Sequence, residues 1–195
     1  MNQTKGSIKS VIIDEQERSI DKCLIWFYNF PSAKIGLTDL AKSINSSKTT
    51  TKQIVDNLVK INFLNKEIIG KAWLLTANLK HTFFITKKIP YNLNMIYESG
   101  IVSSIYKKVP SPRAIILFGS YRFGTDIEGS DIDIAVEIMD KNEMKIEELG
   151  IIKNLGYRKD VRVNLHIFSR NKIDLNLFSN IANGIVLEGF LEVKK

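Results

Sequence analysis

Residues 117–138, LFGSYRFGTDIEGSDIDIAVEI, constrain the fold of this chain more than any other stretch. The apolar run RAIILF (113–118) leading into it reads as a short buried strand, and DIDIAVEI (131–138) alternates with a period of two, as a second strand does. Between them stand Gly119-Ser120, Gly124 and Gly129-Ser130, residues that let a chain turn sharply. Side chains at i and i+2 of a strand share a face, so Asp131 and Asp133 project together, about 6–7 Å apart at the backbone.

Two carboxylates held side by side repel each other unless a cation lies between them. Magnesium (or manganese) meets that need, since it accepts one or two carboxylates and completes its shell with water and substrate phosphates. Gly119 permits close backbone approach, and Ser120 opens a short helix whose free N–H groups attract phosphate. Ser130 is expected to fix the entrance of the second strand. A phosphate cradle beside a carboxylate pair belongs to phosphoryl or nucleotidyl transfer.

The rest of this half alternates. KNEMKIEELGIIKNL (141–155) predicts a helix, VRVNLHIF (161–168) a strand, KIDLNLFSNIANGI (172–185) a helix, and VLEGFLEV (186–193) a last strand. The expectation is a small mixed sheet covered by helices, within an α+β fold.

Gly119-Ser120, Gly124 and Ser130-Asp131-Ile132-Asp133 resemble the signature of the minimal nucleotidyltransferases, relatives of DNA polymerase beta and kanamycin nucleotidyltransferase, over about residues 95–190. The resemblance implies that Gly119 and Ser120, with Arg122, Gly124 and Ser130, hold a nucleoside triphosphate. It implies that Asp131 and Asp133 bind two metal ions, and that a nucleotide passes to an acceptor hydroxyl. Two positions depart from the pattern. Phe123, with Arg122 one residue earlier, stands where an arginine often precedes the second glycine. Asn164 occupies the place of a third carboxylate that would ligate metal and help deprotonate the nucleophile, and it offers a carbonyl oxygen but no charge. Asp160 and Glu137 lie about 13 Å along their strands from the needed place. His166 is nearer, as a base, a ligand or a structural residue.

The first half has helical spacing followed by a hairpin. Ile20, Cys23, Leu24 and Phe27 mark one amphipathic helix, ended by Pro31. Thr38 is placed to cap a second, TDLAKSIN, and Ser46-Ser47 break the chain before a third, KTTTKQIVDNLVKINF, with Ile54, Leu58 and Ile61 as its buried stripe. LNKEIIGKAWLLT reads as two strands turning at Gly70-Lys71. This order resembles the winged helix-turn-helix of prokaryotic DNA-binding regulators over about residues 18–80. The resemblance implies that Lys48, Thr49, Thr50, Lys52 and Gln53 face the DNA major groove, with Lys66 and Lys71 near phosphates on the wing. A dimerisation module with a wet polar face is the alternative. The expected division is residues 1–88 for the winged helix, 89–112 for a connector and 113–195 for the nucleotidyltransferase-like domain. In the connector, YNLNMIYESGIVSSIYKKV (91–109) follows Pro90 as one helix, with Leu93, Ile96, Ile101 and Ile105 packed on the second domain.

Charge separates the halves. Residues 1–88 hold 14 Lys and Arg against 7 Asp and Glu, whereas residues 89–195 hold 14 of each, so the net +7 lies wholly in the first half. A polyanion partner for that half, or a solvated lysine surface, both fit. The single cysteine cannot form a disulfide within the chain, no apolar run approaches the roughly 20 residues of a membrane span, and the amino terminus reads as polar, so a cytoplasmic location is expected. Two functions are carried forward. One is a homodimeric transcriptional regulator that binds double-stranded DNA, its second domain sensing Mg²⁺ and nucleoside triphosphate. The other is an active transferase that modifies a protein partner or small-molecule hydroxyl, as antitoxin-like members do.

Overall fold

The computed structural model describes residues 8–14, 18–139 and 143–192. Its first half runs α1 (Ser19–Asn29), β1 (Ile35–Gly36), α2 (Leu37–Ser43), α3 (Lys48–Lys60), β2 (Leu64–Ile69) and β3 (Ala72–Ala77). β3 lies between β1 and β2 in an antiparallel sheet of order β1-β3-β2. Cys23, Phe27, Leu40, Val55, Leu58, Phe63 and Leu75 form the core that joins the helices to the hairpin. Burial pushes the Cys23 thiol up to about 12, so this thiol is an inert core group. Ser47 caps α3, its Oγ accepting from the Thr50 amide at 3.0 Å.

Two sequence expectations shift here. α2 begins one residue before Thr38, with Gly36 at the cap position and no side-chain capping bond. Ile61 closes α3 rather than lining its buried stripe, and it is exposed.

Three helices follow the hairpin: α4 (Phe83–Thr86), α5 (Lys88–Glu98) and α6 (Ile101–Lys108). The single helix expected over 91–109 is broken at Gly100, whose φ of 73° no helix accommodates. Pro90 lies inside the first turn of α5, where its missing N–H costs nothing because that turn's donors have no partner within the helix. Ile96, Ile101 and Ile105 are fully buried, and Leu93 partly so, against the second half.

That half contains β4 (Ala114–Phe118), α7 (Ser120–Phe123), β5 (Ile132–Glu137), β6 (Lys145–Leu155), β7 (Arg158–Phe168), α8 (Leu175–Ala182) and β8 (Ile185–Gly189), with one 3-10 turn at Arg170–Lys172. The sheet order is β6-β7-β5-β4-β8, and only β5 and β7 run parallel. Ile115, Leu117, Ile132, Ile134, Val163 and Leu165 face α5 and α6, whereas Ala114, Ile116, Ala135 and Phe168 face α8. Asp174 caps α8, its Oδ1 accepting from Asn176 and Leu177 at 2.9 and 3.1 Å.

The helix expected over 141–155 is instead the edge strand β6, with Lys141 and Asn142 outside the described residues. Lys, Glu and Leu favour a helix intrinsically, but pairing with β7 through the turn at Gly156 (φ 61°) overrides that preference. The bulge between Glu148 and Gly150 also reverses the phase of the alternation: Glu147 lies opposite Leu165 before it, and Ile152 opposite Val161 after it. No period of two survives across the whole segment.

The last strand ends at Gly189, short of the expected 193, and Val193 lies outside the described residues, as do residues 1–7 and 15–17 of the polar amino terminus. Within that terminus, Ile8 and Val11 join the core, and Val11 bridges Leu155.

Candidate active site

β4 ends at Phe118 and hands the chain to Gly119, whose φ of 71° and ψ of −155° are open essentially to glycine alone. A Cβ there would stand 3.0 Å from Asp133 Oδ2, so the absent side chain is what lets the turn lie against the carboxylate. Ser120 then opens α7, a single turn whose Tyr121 is buried.

β5 carries the acidic pair. Asp133 faces Phe118 in the β4 register and Asn164 in the β7 register, and Asp131 lies just before the strand on the same face. Both carboxylates are about one-third exposed. Asn164 turns its amide nitrogen between them, Nδ2 standing 3.3 Å from Asp131 Oδ2 and 3.2 Å from Asp133 Oδ1. His166 Nε2 reaches Asp133 Oδ1 at 3.4 Å, while its ring packs edge-on to Phe118 and its Nδ1 is buried without a partner. Arg162, two residues before Asn164, places Nη1 4.0 Å from Asp131 Oδ2 and Nε 3.5 Å from Glu148 Oε2. Asp131, Asp133, Asn164, His166, Arg162 and Glu148 thus surround one exposed end of the sheet.

The remaining expected residues lie around this centre. Ser130 Oγ accepts from the Ile127 amide at 2.9 Å, closing the turn that leads into Asp131. Arg122 donates Nε to the Asn183 carbonyl at 2.7 Å and stacks on Phe123. Gly124 (φ 69°) lies against α4, where a Cβ would run into the Phe84 carbonyl oxygen and also meet the Ile89 side chain at 3.1 Å. Gly124→Ala is therefore expected to lower stability by about 1–3 kcal/mol, read as a fall in the urea midpoint. Glu137 is buried between Arg113 and Arg170, and Asp160 pairs with Lys153 at 2.8 Å, so neither reaches the acidic pair.

Four residues that sequence reasoning missed hold the site. Arg158, buried at the start of β7, donates to the Tyr121 hydroxyl and to the Ser130 carbonyl. It thereby ties α7 to the residue preceding Asp131. Lys88 is fully buried, its Nζ 2.6 Å from the Asp126 carbonyl and 3.2 Å from Asp126 Oδ1. Asn92 donates to the same Oδ1 at 2.7 Å and to the Tyr121 carbonyl at 3.2 Å. Desolvation holds the Lys88 ammonium below the ordinary lysine range, with Asp126 opposing it. A signal for Asp126 existed, an acidic residue within the motif stretch; nothing marked Lys88, Asn92 or Arg158 as its neighbours.

In the first half, Lys48, Thr49, Thr50, Lys52 and Gln53 are exposed along the first turns of α3. Lys48, Lys52 and Lys71 line a cleft of about 440 Å³ with Thr38, Asp39 and Trp73. Lys66 pairs with Asp56 at 3.0 Å and lies over the Trp73 ring, 4.1 Å from its centroid. Thr50 is engaged in the α3 cap through Ser47.

Residues 99–187 match the family model of the nucleotidyltransferase domain, a span that runs from α6 to β8 and includes the whole carboxylate site. The chain carries a nucleotidyltransferase domain over those residues. No curated protein matches the chain. Among the described residues no helix is long and apolar enough to cross a membrane, and no group of three or more His, Cys, Asp or Glu gathers to hold a metal ion.

Proposed function

We propose that this protein transfers a nucleotidyl group from a nucleoside triphosphate to a hydroxyl on a protein or small-molecule acceptor. The observation that carries the reading is the pairing of Asp131 and Asp133 on one face with the Gly119 backbone against Asp133, inside the matched domain. The donor set fits a divalent cation. Two hard, partly exposed carboxylates share one side chain, Asn164, whose amide can offer an oxygen by turning over. Magnesium held by Asp131 and Asp133 would neutralise phosphate charge and ease departure of pyrophosphate. The chain's own contribution is placement. Gly119 and Ser120 present backbone N–H groups to phosphate oxygens, Arg158 fixes the two halves of the motif against each other, and Arg162 adds positive charge at the rim. The test is calorimetry with ATP: binding is expected with magnesium present and is lost in EDTA, and metal-independent binding would sink the reading.

A second reading concerns the first half. The order helix, strand, helix, helix, hairpin, with β1 closing a three-stranded sheet, supports a winged helix that binds double-stranded DNA. The exposed lysines Lys48, Lys52 and Lys71 around one cleft favour it. With about three phosphates neutralised, log affinity should fall with log salt at a slope of about −3, and Lys52→Ala should reduce that slope by about 1. Titration of a duplex library at several salt concentrations measures both, and salt-independent binding would remove the reading.

A further inference from the structure

Transfer to a hydroxyl needs a group that takes its proton, and Asn164 cannot. Each nearby acid or base has a place in the fold. The His166 ring is only 13% exposed, its Nε2 on Asp133 and its Nδ1 buried. Glu147 lies opposite Leu165 on the face that packs against α5 and α6, tied to Lys108 and Lys145. Glu137 and Asp160 are held elsewhere by arginines and a lysine.

Glu148 differs. The β7 register places it directly opposite Asn164, and Asn164 stands directly opposite Asp133, so Asp133, Asn164 and Glu148 form one row across three strands. Side chains in such a row share a face, with strands about 4.8 Å apart. The Arg162 guanidinium lies between them, Nη1 4.0 Å from Asp131 Oδ2 on one side and Nε 3.5 Å from Glu148 Oε2 on the other. Glu148 is 51% exposed, open to an acceptor arriving from solvent. It also immediately precedes the β6 bulge, a device that re-aims side chains beside active sites.

We infer that Glu148 is the catalytic base of this site, supplied by the edge strand in place of a carboxylate at position 164. The inference rests on the nucleotidyltransferase reading above. Glu148 takes the proton of the acceptor hydroxyl as the acceptor oxygen forms a bond to the α-phosphorus. The bond from that phosphorus to the β-phosphate oxygen breaks, pyrophosphate leaves with the electron pair, and the proton on Glu148 passes to solvent. Arg162 is a positioning residue, holding the Glu148 carboxylate toward the acidic pair.

The experiment uses the intact chain with magnesium and α-labelled ATP. Label transfer and pyrophosphate release are followed with glycerol, water and the protein's own hydroxyls as acceptors, beside calorimetric binding of a non-hydrolysable ATP analogue. Glu148→Gln is expected to bind the analogue within threefold of the parent and to lose about 10²–10⁴-fold in transfer, the range of a positioned base. Adding Asn164→Asp to Glu148→Gln should recover at least tenfold, because a carboxylate returns one strand closer. Transfer by Glu148→Gln within threefold of the parent overturns the inference. So does a parallel loss of binding and transfer that Asn164→Asp does not relieve. A parent that binds the analogue but releases no pyrophosphate leaves the nucleotide site standing and overturns only the base. A parent that binds no analogue overturns both.

Discussion

Asp131→Asn is expected to abolish magnesium-dependent label transfer from ATP, by about 10³-fold or more, while leaving the folded protein at least as stable as the parent. The two halves of this expectation have one cause. Asp131 and Asp133 are like charges on the same face, bridged by the Asn164 amide and only partly relieved by Arg162 at 4.0 Å. Without a cation their repulsion opposes folding, so removing one charge relieves the apo protein. On the proposed reading the same charge holds magnesium beside the triphosphate, and several kcal/mol of charge stabilisation would disappear with it. About 4 kcal/mol corresponds to about 10³ in rate. Thermal unfolding without metal and label transfer with it measure the two effects. A variant that loses activity together with stability would show that Asp131 supports the fold instead, and one that keeps full transfer would place the reaction elsewhere.

Lys88→Met is expected to destabilise the protein by about 3–5 kcal/mol, because it leaves the Asp126 carboxylate buried without its cation. The side chains of Lys88 and Asp126 are 1% and 3% exposed, so water cannot replace the lost partner. The Asp126 carbonyl loses its donor as well. Combining Lys88→Met with Asp126→Asn removes both charges and should recover a large part of the loss, since an unpaired buried charge costs far more than an absent pair. Urea unfolding of the two variants tests this, and equal stabilities would show that the lost packing, not the stranded charge, is responsible. The pair also has a functional side. Asp126 anchors the segment between α7 and β5, and Asn92 joins it to the Tyr121 carbonyl, so the double variant should bind ATP more weakly than its stability alone implies.

Much of the candidate site's local structure is legible in the sequence because its signals are local. The strand RAIILF, the glycine at 119 and the alternating DIDIAVEI need only neighbours in the chain to be read, and all three stand where the pattern placed them. Ser130 and the Gly70-Lys71 reversal were legible for the same reason. The segment 141–155 was not. Its composition favours a helix, and a bulge at the middle erases the alternation that would have marked a strand. A residue on a helix has no defined partner opposite Asn164, so a helix-favouring composition conceals Glu148. Arg162 was hidden differently. It lies in a strand whose alternation is plain in VRVNLHIF, but its link to Asp131 runs between strands that are neighbours only once the sheet has formed.

By itself the sequence determined the spacing and facing of Asp131 and Asp133 and the turn at Gly119. Dihedral limits and the two-residue repeat of a strand act over a few adjacent residues. Tertiary structure alone decided which groups meet that pair. Lys88 beneath Asp126, Arg158 between Tyr121 and Ser130, and the row Asp133, Asn164, Glu148 all depend on strand order and register, which arise when distant segments bury their apolar faces together.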